Sequence, residues 1–405
     1  MAIASMVTIL HRGFSSLDRA ALPEDEYYIR RVALQEHLLE ADLKGVFVFS
    51  DPDDYADATY LGGTLDGATV YLPAVGDPIL LGGPHAWREQ HVLRGQTWIR
   101  DFRVQGSFPS ATAALRSIVD EHSLVGNRVG VCGLARTQSP AAQSAAGDAL
   151  CHCELVCVDD LLHGQRRQTR PRELVVLRRA LGIAQAATAA GIGAYAAGAT
   201  NAEATIAAEL TARFHRARDV RLLANLAGSG LRPLETIELP RRDRLSLYVA
   251  VDYQGYWAEA IATTPLAPED ELALAAVTST AAHLRAGVSA GELADAATAA
   301  LPASALDTAL SHGLGGGMGL APTDDPPIVP GSSAAFAPGA AVSLRAVVPR
   351  SDGPGLACVA LVATGDGSEP LAPIVPPAEG GRSSDPTKDF RRLSNAPTSR
   401  RPEEI

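Results

Sequence analysis

The chain has 405 residues, 46% of them apolar, and a formal net charge of −11 at pH 7. That length supports two ordinary domains with real cores, and the acidic balance argues against a binder of nucleic-acid backbone, which would present a basic face. No stretch approaches the roughly 18 consecutive apolar residues of a membrane span, so no membrane partner is expected. The start, "MAIASMVTILHRGF", lacks a basic leader before its short apolar run, so no secretory signal is expected either.

Residues 26–43 have helical periodicity and lead into the apolar strand "GVFVFS" (45–50). Strand-like segments follow at 68–73, 77–83, 128–133 and 153–160, with helical patterns between several of them, such as "ATAALRSIVDEH" (111–122). This alternation predicts an N-terminal α/β domain over residues 1–165. Three of the five cysteines, Cys151, Cys153 and Cys157, fall at its end. Alternation puts them on one face, and no Cys/His pair follows at zinc-finger spacing. They read as buried structural thiols of a reducing, cytoplasmic compartment.

A second region, residues 166–375, opens with a long helical pattern over 170–198, with Pro171 in its first turn and Gly198 as its stop. Thr200 and Glu203 then form a capping box for a helix over 200–217. A strand hairpin over 244–264 turns near Gln254 and Gly255. Two helices (268–286 and 289–300) precede the glycine loop "SHGLGGGMGLAPTDDPP" (311–327), and two strands (340–348 and 356–364) close the region. From about residue 376 the composition turns to Pro, Gly, Ser, Arg and Glu, too few apolar groups to offset ordering entropy, so the tail 376–405 is expected to be disordered.

Common motifs are absent. "GLGGGMG" follows a helix and lacks the acidic partner of a dinucleotide loop, and "GSG" (228–230) lacks the spacing of a nucleophile elbow.

Four short segments in order carry a resemblance. "TRPRELVVLRRA" (169–180), "GATNAEATIAAEL" (198–210), "GYWAEAIATT" (255–264) and "RAGVSAGEL" (285–293) resemble successive motifs of the aminopeptidase P, prolidase and creatinase family. The likeness extends over roughly residues 26–372. It implies an α/β (α+β) architecture: an N-terminal α/β domain plus a C-terminal pita-bread domain with a curved, mainly antiparallel sheet. It also implies a homodimer, in which the loop "SDPDDYAD" (50–57) lies in a region that can cap the partner's site.

The metallopeptidases of that family hold two metal ions with two Asp, a His and two Glu. Carried over by motif, those positions fall here on Tyr248, Glu259, Gly316, Arg345 and Cys358, and a further family histidine falls on Thr323. Asp252 lies close to the first Asp position in sequence. Two divalent cations need several hard anionic oxygens, and Arg345 would set a permanent positive charge among them. The expectation is a site without metal or other cofactor, in which Gly316 leaves open the space of a ligand ring.

Creatinase shows that this fold can act on a small guanidino molecule without metal. The resemblance therefore implies a small-molecule substrate and C–N bond hydrolysis, or a repurposed elimination, isomerisation or cyclisation. A catalytically inactive peptidase-like binding protein is the rival. The expected catalytic groups are His312 as acid/base, Glu259 as carboxylate and Arg345 as anion or oxyanion clamp. Tyr248, Trp257, Cys358, Arg232 and Glu235 are the expected substrate contacts.

Overall fold

The computed structural model describes residues 18–51, 54–65, 67–83, 94–136, 139–225, 230–233 and 241–372. Glu235 and the tail from residue 376 lie outside the described residues. The N-terminal half begins with α1 (Glu24–Glu40), whose first turn carries Glu24, Asp25 and Glu26, favourable charges at a helix N-terminus. Strand β1 (Gly45–Phe49) is buried along its whole length, as its unbroken apolar run requires of a strand covered on both faces.

Strands β2 (Ala68–Pro73), β3 (Ile79–Gly82), β4 (Asp101–Val104), β5 (Arg128–Cys132) and β6 (Glu154–Cys157) join β1 in a sheet of order β4-β3-β2-β1-β5-β6. β1 runs antiparallel to β2 and parallel to β5, so the sheet is mixed. Helices α2 (Ala56–Gly62), α3 (Ala111–Glu121), α4 (Pro140–Leu150) and α5 (Asp159–Arg166) complete this half.

The cysteine expectation is corrected here. β6 is an edge strand, pairing with β5 on one side, and its outer surface is open. Cys151 caps the end of α4, and both it and Cys157 are exposed; Cys153 is half-buried. Apolar strand character points to burial, but an edge position leaves such a strand uncovered.

Helix α6 (Pro171–Ala196) opens the C-terminal half, followed by α7 (Asn201–Phe214). The Thr200–Glu203 capping box forms as expected, with the Thr200 amide donating to Glu203 and the Glu203 amide to Thr200 Oγ1. By length and mean hydropathy α6 could cross a membrane, but half of that stretch is buried, and it packs on α7 and the sheet beneath it.

The sheet's first strand, β7 (Asp219–Ala224), is missed by the sequence reading. It pairs antiparallel with β8 (Leu245–Tyr253), which turns at Gln254 and Gly255 into β9 (Tyr256–Thr264). After α8 (Pro268–Ala281), α9 (Ala290–Ala299) and α10 (Leu306–His312), a second antiparallel sheet has the order β11-β10-β12-β13-β14. Its strands are β10 (Gly315–Gly317), β11 (Asp324–Pro327), β12 (Ala341–Val348), β13 (Gly355–Ala363) and β14 (Ser368–Pro370). The Trp257 amide donates to Gly319 O at 2.7 Å, linking β9 to the chain just past β10.

Three arginines bind the halves together. Arg30 of α1 donates to Tyr256 Oη at 3.2 Å and lies 3.5 Å from Glu173 of α6. Arg166 of α5 bridges Asp57 at 2.6 Å and Asp324 at 2.7 Å. Arg218 Nε donates to Asp252 at 2.8 Å, and that carboxylate also accepts from Tyr55 of the N-terminal half.

Candidate active site

Alternation along a strand places every second residue on one face. On β9 this sets Trp257 beside Glu259, and on β12 it sets Ser343 beside Arg345. The hairpin register pairs Ala250 with Glu259 and Tyr248 with Ile261, so the Tyr248 ring reaches Glu259 diagonally across the two strands. Tyr248 Oη donates to Glu259 Oε2 at 2.6 Å, Ser343 Oγ donates to Oε1, and Arg345 Nε lies 3.3 Å from the same Oε1. One carboxylate on β9 thus collects two hydroxyl donors and a cation from two other strands, β8 and β12.

The surroundings fix protonation states. Burial, with the Glu259 charge behind it, pushes the Tyr248 phenol far above its ordinary range. Cys358, opposite Arg345 in the β12–β13 register, is pushed up to about 12 by burial and by Glu259. Neither group is an anionic nucleophile at neutral pH.

Glu259 and Arg345 open onto a narrow cleft lined also by Trp257, Met318, Pro322 and Thr323. Its interior has room for about one water molecule. Trp257 is held in place from behind: its Nε1 donates to Tyr55 Oη at 2.9 Å, and Arg221 stacks 4.8 Å from the indole ring.

The structure therefore brings Tyr248, Trp257, Glu259, Arg345 and Cys358 together. It does not bring His312 to the cleft lining: the ring ends α10, and Nδ1 meets Thr308 O at 2.8 Å, one turn back in the same helix. Arg232 is exposed and pairs through its backbone with Ala224 at the end of β7.

Ser343 was missed by the sequence reading. Its signal was there, two residues before Arg345 on a strand and so on the same face. Asp252, close in sequence to the first metal position, is fully buried and bound to Arg218, Tyr55 and the Gly255 amide.

The expectation for Gly316 is also corrected. A Cβ at that position would sit 3.2 Å from Pro326 O and from Pro327 Cα. The backbone of β11 crowds the space in which a ring was expected to be missing. The neighbouring Gly315 is tighter still, with its Cβ position 1.9 Å from Ser343 O.

An N-terminal mixed sheet clamped to a C-terminal pair of joined antiparallel sheets, with a polar cluster at the junction of β8, β9 and β12, defines the two-domain pita-bread class. Residues 176–359 match the profile of metallopeptidase family M24.

The fold is similar to X-Pro aminopeptidase from Thermotoga maritima (TM-score 0.70, 15% identity, 86% of this chain and 98% of that one). It is similar also to the prolidase of Pyrococcus horikoshii (TM-score 0.68, 16% identity, 85% and 97%). Dipeptidase PepE of Mycobacterium ulcerans gives a TM-score of 0.66 at 20% identity, covering 86% and 96%. No curated protein sequence matches the chain at a significant level.

The family implies a pair of metal ions, and the residues present do not fit them. Among the described residues no three His, Cys, Asp or Glu side chains gather as a ligand set. Of the five ligand positions, one holds a carboxylate, and both of its oxygens already accept hydrogen bonds. Arg345 adds a fixed positive charge at that carboxylate. This donor set does not suit hard divalent cations.

Proposed function

We propose that this chain is a metal-independent enzyme on a peptidase-like scaffold, acting on a small polar molecule. The observation that carries the reading is the Tyr248–Glu259–Ser343–Arg345 cluster, which stands where a ligand set would have to be. Metal-activated water, the nucleophile of a metallopeptidase, has no place in it.

Within the cleft, Glu259 is the group able to take and return a proton, and Arg345 is the group able to hold a substrate oxygen. C–N bond hydrolysis of the creatinase type asks Glu259 to serve first the attacking water and then the leaving nitrogen. Elimination asks it to take one proton, and isomerisation or cyclisation asks it to take a proton and return it, which a single carboxylate can do. A cytoplasmic homodimer is part of this reading and rests on the sequence resemblance and the free cysteines.

One observation favours a second reading, a catalytically inactive binding protein: both Glu259 oxygens are engaged and the cleft is narrow. The deciding experiment assays X-Pro dipeptides and small guanidino acids with and without added Mn²⁺, then identifies co-purifying molecules by native mass spectrometry. Turnover that is indifferent to Mn²⁺ and abolished by Glu259→Gln supports the enzyme. Binding without turnover supports the second reading, and Mn²⁺-dependent peptide hydrolysis overturns both.

A further inference from the structure

We infer that the cleft at Arg345 is selective for a small oxyanion, a carboxylate above all, and rejects cationic amines. This deepens the metal-independent reading and rests on it.

Arg345 is inward-facing, with its side chain 18% exposed. Among the described residues its guanidinium has the 3.3 Å ion pair to Glu259 and donates no hydrogen bond, and its Nε is buried without one. The Thr323 hydroxyl, exposed at the same cleft, has no hydrogen bond among the described residues either.

On the acceptor side stands Glu259, the one acidic side chain in the lining. It already accepts from Tyr248 and Ser343 and neutralises Arg345. The remaining wall is largely apolar, with Ala250, Ala258, Met318 and Pro322.

A ligand entering this cleft meets unused donors and a carboxylate with each oxygen already engaged. A carboxylate takes two N–H bonds from a guanidinium in a charge-assisted fork, the strongest arrangement open to it. An ammonium group would have to share Glu259 with Tyr248, Ser343 and Arg345 and would lie against a fixed positive charge.

The chain supplies its own reporter. It has three methionines, of which Met318 lines the cleft while Met1 and Met6 are at the N-terminus. With ¹³C-methyl methionine, the full-length protein gives a three-signal spectrum, and Met318→Leu assigns the cleft signal. Sodium acetate and methylammonium chloride are titrated at constant ionic strength.

The expected result is a saturable shift of the Met318 signal with acetate and none with methylammonium. The acetate affinity should fall by about tenfold or more in Arg345→Gln, the loss of a charge-assisted pair. Thr323→Val, an exposed change that leaves the Glu259 cluster alone, should weaken acetate severalfold and serves if Arg345→Gln does not fold.

A methylammonium shift, or no acetate response while MnCl₂ also has no effect, overturns the anion inference and leaves the metal-independent reading standing. A stoichiometric, chelator-reversible response to ZnCl₂ or diamagnetic CdCl₂ at Met318 overturns that underlying reading instead.

Discussion

The Nε of Arg345 lies 3.3 Å from Oε1 of Glu259, so a fixed cation stands beside the carboxylate of the cleft. Two unit charges about 4 Å apart interact by about 4 kcal/mol at an effective dielectric near 20, and a divalent ion beside Arg345 meets twice that repulsion. Protein purified without added metal is therefore expected to hold no stoichiometric Mn, Co or Zn by inductively coupled plasma mass spectrometry. Its Tm should also be unchanged by EDTA. A saturable rise in Tm with any of these ions contradicts the proposal.

Removing one member of the Arg345–Glu259 pair should cost more than removing both. Arg345→Met leaves a buried carboxylate without its cation, and the expected loss is about 3 kcal/mol. That is the low end for breaking a buried pair, because Arg345 keeps some contact with solvent. Adding Glu259→Gln should recover part of the loss. Urea unfolding of wild type, both single variants and the double variant measures the coupling. A coupling below about 0.5 kcal/mol would mean that water screens the pair as it does an ordinary surface one.

Much of this site was legible because strands alternate. Trp257 and Glu259, like Ser343 and Arg345, share a face by counting, and the family motifs located both strands. What sequence could not give was the third dimension of short elements. β10 and β11 are three and four residues long and rich in Gly and Pro. Periodicity has nothing to act on there, so Gly316 read as open space when a neighbouring backbone crowds it. His312 reads as a site residue from its motif, but its direction depends on the end of a seven-residue helix. β7 was overlooked because "DVRLLA" carries charge on an otherwise apolar run. The three arginine hubs join residues up to 226 positions apart, a separation no local pattern reports.

Asp57 ties Arg166 to the N-terminal half and is nearly buried, with Arg136 and His163 also against it. Burial acts to raise its pKa. The neighbouring His163, Arg166 and Arg136 outweigh that and hold the carboxyl far below the usual range. A carboxyl depressed in the folded state contributes stability in full above its unfolded pKa of about 4, and loses it as pH falls through the folded value. Asp57→Asn, which leaves two arginines short of a partner, is expected to cost about 3 kcal/mol. The gap between wild type and variant should be flat from about pH 8 to pH 5 and shrink only below about pH 4. Chemical denaturation across that range tests it, and a gap that closes near neutrality excludes Asp57 as the titrating group.

Thiol labelling separates the five cysteines. Cys151 and Cys157 are exposed, whereas burial raises the pKa of Cys132 strongly and that of Cys358 to about 12. The thiolate is the reactive form, so iodoacetamide at neutral pH should modify Cys151 and Cys157 first and Cys153 more slowly. The half-buried Cys358, slowed by its raised pKa, should come after Cys153, and Cys132 should follow only on unfolding. Peptide mass spectrometry over time reads the order. Early modification of Cys358 would show an activated thiol in the cleft and reopen it as a nucleophile.

The glycine run gives the sharpest test of whether the cleft is merely a metal site with ligands deleted. Gly315 has φ +116°, and a Cβ there would meet Ser343 O at 1.9 Å, so Gly315→Ala forces β10 away from β12. The expected loss exceeds about 2 kcal/mol, since a side chain at positive φ adds strain to a steric clash. Gly316 lies outside the left-handed range of φ, but its Cβ position is 3.2 Å from the backbone of β11. Gly316→His is therefore expected to lower Tm without gaining Mn²⁺ or Zn²⁺ binding by calorimetry, because the ring would displace a strand while Arg345 stays in place. Metal binding by this single variant would show that the lost imidazole was all that separated this cleft from a metal centre.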